Sequence, residues 1–318
     1  MKYVLGIDTS CYTTSAALVD EEGNLKAEHR QLLSVPQGER GLQQAMAVFQ
    51  HVQQLPQVIK KTLAPVRGKN IGAVVASVKP RPVEGSYMPV FTVAHSFGRT
   101  MAEVLGVPFF ATTHQEGHIM AGLWSSGMPS RDKFLAVHLS GGTSELLLVE
   151  RENKGGFSFA IKLLGGTTDL HAGQFIDRVG VEMGLPFPAG PHLEKLASKS
   201  RTGVVSIPSS VRGFNFSFSG PETQARKLLR QGIAPAEVAR AVERCIATTL
   251  EKILRPAVKE FELADVLIVG GVAANRFIRE RLRQRLEHRA VGARLFFADP
   301  RYSGDNAVGV AQLGCKML

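Results

Sequence analysis

Several short stretches of this 318-residue chain carry residue types that can do chemistry together. His114 and His118 stand four apart in Thr113-His114-Gln115-Glu116-Gly117-His118. On a helix such positions share a face, so both imidazoles can bind one metal ion. The His-Glu-x-x-His arrangement of zinc proteases is not met, because the glutamate is third rather than second in the run. A third ligand is needed, and Asp305 of Ser303-Gly304-Asp305-Asn306 is the best candidate. Two imidazoles and a carboxylate leave coordination positions open, which suits iron(II) or zinc with substrate as a further ligand. The plainer reading is that nine histidines sometimes fall four apart by chance.

Three small-residue turns follow apolar runs: Gly6-Ile7-Asp8-Thr9-Ser10, Ser140-Gly141-Gly142-Thr143-Ser144 and Gly270-Gly271-Val272-Ala273-Ala274-Asn275. Small residues at a tight turn let backbone N–H groups approach an anion, and hydroxyls add donors. Asp8 and Ser10 are the catalytic candidates: a carboxylate at the end of a first strand is placed to reach a metal or its water. The third turn joins a strand to a helix, where Asn275 can hydrogen-bond a ribose or base. It lacks the Gly-x-Gly-x-x-Gly dinucleotide pattern. Ordinary hairpin and strand-to-helix turns explain each stretch singly. Further on, Asp177 lies near Gly190 in a Gly/Pro-rich stretch and can hold ribose hydroxyls; Asp169 reads equally well as a helix cap.

These groups must be positioned by the elements around them. Residues 2–7, 15–19 and 25–33 read as strands, 41–63 as a helix, 71–77 as a strand, 90–105 as a helix and 108–111 as a strand. The second half repeats the plan with strands at 134–139, 145–149 and 157–164, a long helical and loop region over about 168–263, a strand at 266–269, a helix from Asn275 to about Arg289, and a strand at 293–297. Two halves that each open with strand, small-residue turn and strand suggest a duplicated lobe. Phe214, Phe216 and Phe218 read as a core-facing extended segment. The arginines at 276, 279, 281, 283, 285 and 289 do not share one face and read as mainly solvated, with some on RNA phosphate.

The bulk composition bounds the setting. Hydrophobic content of 44% with 32 Gly and 16 Pro fits a turn-rich α/β enzyme. No apolar run reaches the roughly 20 residues of a membrane helix, the N-terminus does not read as a signal peptide, and three cysteines are too few for a disulfide framework. A cytoplasmic protein is expected. The net charge of +10 favours polyanionic partners such as nucleic acid.

Taken together, Gly6 to Cys11, His114-x-Glu116-Gly117-His118, Ser140-Gly141-Gly142, Gly173-x-Phe175-x-Asp177, Phe216 to Gly220, Gly270 to Arg276 and Asp305-Asn306 resemble, in the same order over nearly the whole chain, the tRNA threonylcarbamoyl-adenosine transferases. That family was once described as glycoproteases and lies within the actin/hexokinase-like ATPase superfamily. The resemblance implies a two-lobed α/β fold: an N-terminal lobe over 1–118, a C-terminal lobe over 119–300, and a segment over 301–318 returning to the first. It implies transfer of a threonylcarbamoyl group from its adenylate to N6 of the adenosine beside a tRNA anticodon. One iron or zinc ion would be held by His114, His118 and Asp305, and ATP or threonylcarbamoyl-AMP would contact His138, Leu139, Ser140, Gly141, Gly142, Asp177, Gly190 and Asn275. The implied partners are tRNA, a related actin-like subunit and a small ATPase, with no membrane. Tyr12-Thr13 stand where the family has Asp-Glu, and Lys79-Pro80-Arg81-Pro82 where it has a Gly-Pro-Gly turn. These departures point to a divergent paralogue. They leave two alternatives: a non-catalytic nucleotide-binding or regulatory subunit, and a carbamoyl or phosphoryl transferase on a small molecule.

Overall fold

The structure, a computed structural model, describes residues 2–36, 39, 41–66, 70–152, 157–201 and 204–318. In the first half, strands β1 (Tyr3–Asp8), β2 (Thr13–Asp20), β3 (Leu25–Leu32), β4 (Ile71–Lys79) and β5 (Phe109–Thr113) form one five-stranded sheet of order β3-β2-β1-β4-β5. Helices α1 (Gln44–Leu63) and α2 (Phe91–Leu105) connect its strands, and α3 (His114–Ser125) leaves it. A second sheet uses β6 (Lys133–Leu139), β7 (Ser144–Glu152), β8 (Ser158–Gly166), β11 (Asp265–Val269) and β12 (Arg294–Phe297), in the order β12-β11-β6-β7-β8. Each sheet opens with three antiparallel strands and adds two parallel ones beside the first. The two sheets therefore share one topology, as the duplicated plan of the sequence suggests.

Between β8 and β11 the chain forms α4 (Ala172–Glu182), α5 (Gly190–Ala197), the short hairpin β9 (Ser210–Arg212) and β10 (Asn215–Ser217), α6 (Ser219–Arg230) and the long α7 (Pro235–Glu260). After β11 come a single 3-10 turn over Gly271–Ala274, α8 (Arg276–Leu286), β12, the short α9 (Pro300–Ser303) and α10 (Val308–Met317).

The two-residue period of the strands decides what meets what. On β1 and β4, Leu5, Ile7, Val74 and Ala76 join the core under α1 and α2, while Val4 and Val75 pack with Val308, Val310 and Ala311 of α10. On β6, Leu135, Val137 and Leu139 face the helical layer of the second half, while Phe134 and Ala136 pack with Ile119, Met120 and Leu123 of α3. Both faces of the central strands are thus covered, which is why they read as near-continuous apolar runs. α3 and α10 fill the space between the sheets, and α10, near the end of the chain, packs on β1, β2 and β4 of the first sheet. The division expected at residue 118 falls within α3, a continuous helix that contacts β4, β5 and β11. Among the described residues no helix is long and apolar enough to cross a membrane.

Candidate active site

α3 begins at Thr113 with a capping box. The Thr113 hydroxyl accepts from the Glu116 N–H at 3.2 Å, and the Glu116 carboxylate accepts from the Thr113 N–H at 3.0 Å. Glu116 is thereby committed to the helix end. One turn apart on this helix, His114 and His118 bring their Nε2 atoms to 3.1 Å. Opposite them, Asp305 precedes α10. Asn306 accepts from the Val308 N–H at 2.9 Å and donates to the Tyr302 and Gly304 carbonyls at 2.9 and 2.7 Å, which pins the loop carrying its neighbour. Two glycines let α3 and α10 cross closely, since a Cβ on Gly309 would stand 1.8 Å from the Gly117 carbonyl oxygen. That crossing sets Asp305 Oδ1 3.3 Å from His118 Nε2 and 3.5 Å from His114 Nε2.

Three donor atoms 3.1–3.5 Å apart have the spacing of ligands on one ion, because ligands about 2.1 Å from a metal lie about 3.0–3.4 Å from each other at right to tetrahedral angles. The donor set of two imidazoles and a carboxylate fits iron or zinc. Cys11 also approaches, one ligand atom each of Cys11, His114 and Asp305 lying within 4.8 Å of one another. Burial pulls the His114 imidazole toward its neutral form, but the Asp8 and Asp305 carboxylates outweigh it and raise its pKa to about 10. Burial works against the Asp305 carboxylate, yet His114 and His118 hold it below the usual carboxylate range. Burial and the neighbouring His114 both lower the pKa of His118.

Asp8 sits behind this cluster rather than in the open cleft. Fully buried at the end of β1, it places Oδ1 3.3 Å from His114 Nδ1 and accepts hydrogen bonds from the Ser10 and Ser77 hydroxyls. Burial raises its pKa, but His114, Ser10 and Ser77 bring it below the usual value. A carboxylate on the far nitrogen of a ligating imidazole fixes that ring's orientation. Ser10 is fully buried and donates inward to Asp8.

A cavity of about 270 Å³ opens on the second half, lined by Gly141, Gly173, Ile176, Asp177, Pro188, Gly190, Pro191, Glu194, Gly271, Val272, Ala274 and Asn275. This volume lies near the lower end of small-molecule sites, roughly 300–1,000 Å³. Glycine lets the walls approach: a Cβ on Gly173 would meet the Gly141 nitrogen at 2.7 Å and the Ser140 oxygen at 2.8 Å, locking the start of α4 onto the Ser-Gly-Gly turn. Asp177 accepts from the Ala189 N–H at 2.7 Å, and burial raises its pKa to about 6. Asn275 caps α8, accepting from the Ile278 N–H at 2.9 Å, and donates to Glu243 Oε1 at 2.7 Å.

The expected nucleotide residues therefore separate. Gly141, Asp177, Gly190 and Asn275 line one cavity, with Ser140 and Gly142 in the adjoining turn, where the Gly142 N–H donates to the Ser140 hydroxyl at 3.2 Å. The Leu139 side chain lies in the core and His138 is buried, both outside the lining. The sequence reading passed over Glu194, which accepts from the Arg276 N–H at 2.7 Å, and Glu243, which holds Asn275 from 32 residues upstream; neither has a local signal. Asp169, open between ligand and cap, accepts from the Ser217 and Ser219 hydroxyls at 2.5 Å and ties β10 to the start of α4. Phe216 and Phe218 are buried as expected. The arginines of α8 are more committed than expected: Arg279 donates to the Ala273 and Ala298 carbonyls, and Arg281 pairs with Glu251. In the departing segments, Arg81 pairs with Glu145 at the start of β7 at 2.7 Å, and the Tyr12 ring meets Phe187 edge-on at 5.2 Å.

Twin sheets of one topology, with helices between them and a glycine-lined cavity at the strand ends, define the actin/hexokinase-like class of two-lobed proteins. Solved structures agree on that fold: component A of (R)-2-hydroxyglutaryl-CoA dehydratase from Acidaminococcus fermentans matches with a TM-score of 0.58 at 16% identity over 98% of this chain and 97% of its own. A ROK family glucokinase from Streptomyces griseus gives 0.55 at 13% identity, over 98% of each chain. The chain belongs to the tRNA N6-adenosine threonylcarbamoyltransferase family, whose model matches residues 34–312. Proteins of that name from Thermus thermophilus and Archaeoglobus fulgidus are 33% and 30% identical, covering 97% and 98% of this chain and 91% and 90% of their own lengths.

Proposed function

We propose that this protein transfers the threonylcarbamoyl group of threonylcarbamoyl-AMP to the N6 amine of an adenosine in tRNA. Membership of the family carries the reading, and the geometry of the chain accounts for how the residues would divide the work. The adenylate occupies the glycine-lined cavity, its ribose toward Asp177 and its phosphate toward the N–H groups of the Ser140-Gly141-Gly142 turn. Asp177, with a pKa of about 6, is largely ionised at neutral pH and accepts hydrogen bonds from hydroxyls. His114, His118 and Asp305 hold an iron or zinc ion, which when bound polarises a carbamoyl or phosphate oxygen. Asp8 fixes the His114 ring, and Ser10 and Ser77 fix Asp8. In the transfer the adenosine nitrogen forms a bond to the carbamoyl carbon, the carbon–oxygen bond to phosphate breaks, AMP leaves, and the amine loses a proton to water. Holding the two reactants together supplies much of the rate. The net charge of +10 draws the polyanionic acceptor toward the protein.

The test is AMP release from synthetic threonylcarbamoyl-AMP by the zinc- or iron-loaded protein, with and without tRNA. Release accelerated by tRNA supports the transfer. Release indifferent to tRNA but driven by a small amine, or nucleotide binding without release, would contradict it.

A further inference from the structure

Most arginines of α8 are engaged by the chain itself. Arg276 pairs with Glu280 at 2.7 Å, and Arg281 pairs with the buried Glu251 at 2.7 Å. Arg279 and Arg283 hold their guanidinium carbons 5.2 and 5.3 Å from the Phe297 ring centre. Arg285 is left over. It is more than half exposed and stands 3.6 Å from Glu251, whose closer partner is Arg281. It also lies four residues from Arg281 and four from Arg289, and like charges at that spacing destabilise a helix.

The neighbouring helix adds to this excess of positive charge. On α7, Lys252, Arg255 and Lys259 fall three and four residues apart, so all three share one exposed face. Arg255 forms no ion pair among the described residues. Between α7 and the end of α8 a hollow of about 230 Å³ opens, and Arg255, Gln284, Arg285 and His288 line its polar side. His288 Nδ1 accepts from the Ala290 N–H at 3.3 Å, which leaves Nε2 as a donor. All four side chains therefore offer N–H groups, and none is a carboxylate. Two guanidiniums and an imidazole around one hollow fit a phosphate, which a guanidinium recognises through paired N–H···O bonds.

The hollow lies within reach of the cleft. Asn275 lines the cavity and caps α8, and Arg285 follows ten residues later, about 15 Å along the helix at 1.5 Å per residue. At a rise of about 3.4 Å per stacked nucleotide, that is the length of about four or five nucleotides. The whole-chain charge of +10 favours a polyanion over a small acidic ligand. Resting on the reading of tRNA as the acceptor, we propose that the hollow between α7 and α8 binds a backbone phosphate of the tRNA whose adenosine enters the cleft. Arg255 and Arg285 are its principal partners, and Lys252 and Lys259 extend the contact along α7. Such a contact carries no sequence information. It fixes the register of the RNA along α8 and adds affinity that falls with salt.

The experiment measures binding of the purified full chain to fluorescently labelled tRNA over a series of salt concentrations. It compares wild type, Arg255→Gln/Arg285→Gln, Arg255→Glu and, as a control of equal charge change, Lys60→Gln/Lys61→Gln at the exposed end of α1. The Arg255→Gln/Arg285→Gln protein should bind about tenfold more weakly. Its slope of log affinity against log salt should be shallower by about one, the value for one phosphate. Arg255→Glu, at an exposed and unpaired position that folding does not need, should behave the same way and carries the test if the double variant melts early. The lysine control should stay within about twofold of wild type with its slope unchanged, and threonylcarbamoyl-AMP affinity should be equal in all four proteins. Equal tRNA affinity and slope in wild type and the arginine variants, or an equal loss in the lysine control, would overturn the proposal while leaving the transferase reading standing. Wild type that binds threonylcarbamoyl-AMP but no tRNA would sink that reading and this contact with it.

Discussion

Replacing Glu243 by Gln isolates the electrostatics behind the cavity wall. Glu243 is fully buried on α7, donates no hydrogen bond when ionised, and accepts from Asn275 at 2.7 Å while Arg240 Nη1 stands 2.6 Å away. Burial raises its pKa from 4.5 to about 7, against the opposing pull of Asn275 and Arg240. Because the folded chain holds this proton more tightly than the unfolded chain, the group's contribution to stability is present below pH 4.5 and is lost as the pH rises to about 7. A shift of this size corresponds to about 3 kcal/mol, at roughly 1.4 kcal/mol per pH unit. Glutamine can still accept from Asn275 and does not titrate. Urea unfolding of both proteins from pH 4 to pH 8 should therefore show wild-type stability, relative to Glu243→Gln, falling by about 3 kcal/mol and levelling above pH 7. The difference between the two cancels the other titrating groups. A flat or rising difference would mean that the Arg240 pair governs this carboxylate, and would refute the reasoning.

Other perturbations separate the cavity, the helix crossing and the proposed metal site. A Cβ on Gly271 would meet nothing within 4 Å, so Gly271→Val should fill the cavity at little cost to folding, within about 0.5 kcal/mol. Calorimetric titration should then show adenine-nucleotide affinity reduced at least tenfold with zinc binding unchanged. Gly309→Ala would drive a methyl group into the Gly117 carbonyl, and denaturant melts should show a loss of about 1–3 kcal/mol or more. Asp8→Asn removes the charge behind His114 Nδ1, and chelator competition should show metal affinity about 10–100-fold weaker in a protein that still folds.

The strands were legible because a central strand of a covered sheet must be apolar on both faces, as Val4 to Ile7 and Phe134 to Leu139 are. The His114–His118–Asp305 cluster was legible in part: helix periodicity pairs His114 with His118, but Asp305 joins them only through the Gly117–Gly309 crossing, which no local pattern encodes. The cavity shows the limits of reading types without partners. Asn275 looks free for a ribose, yet its side chain already caps α8 and binds Glu243. Ser10 looks like a turn hydroxyl, yet it points back at Asp8. His138 adjoins the Ser-Gly-Gly turn in sequence, but strand alternation turns it away from the cavity toward α3.

The most direct measurement is mass spectrometry of nucleosides digested from tRNA after reaction with threonylcarbamoyl-AMP, using metal-loaded wild type beside His118→Ala and Gly271→Val. N6-threonylcarbamoyladenosine formed by wild type, and sharply reduced with either variant, is the predicted result. Absence of the modified nucleoside with wild type that still binds the adenylate, or equal product from all three proteins, would contradict the account.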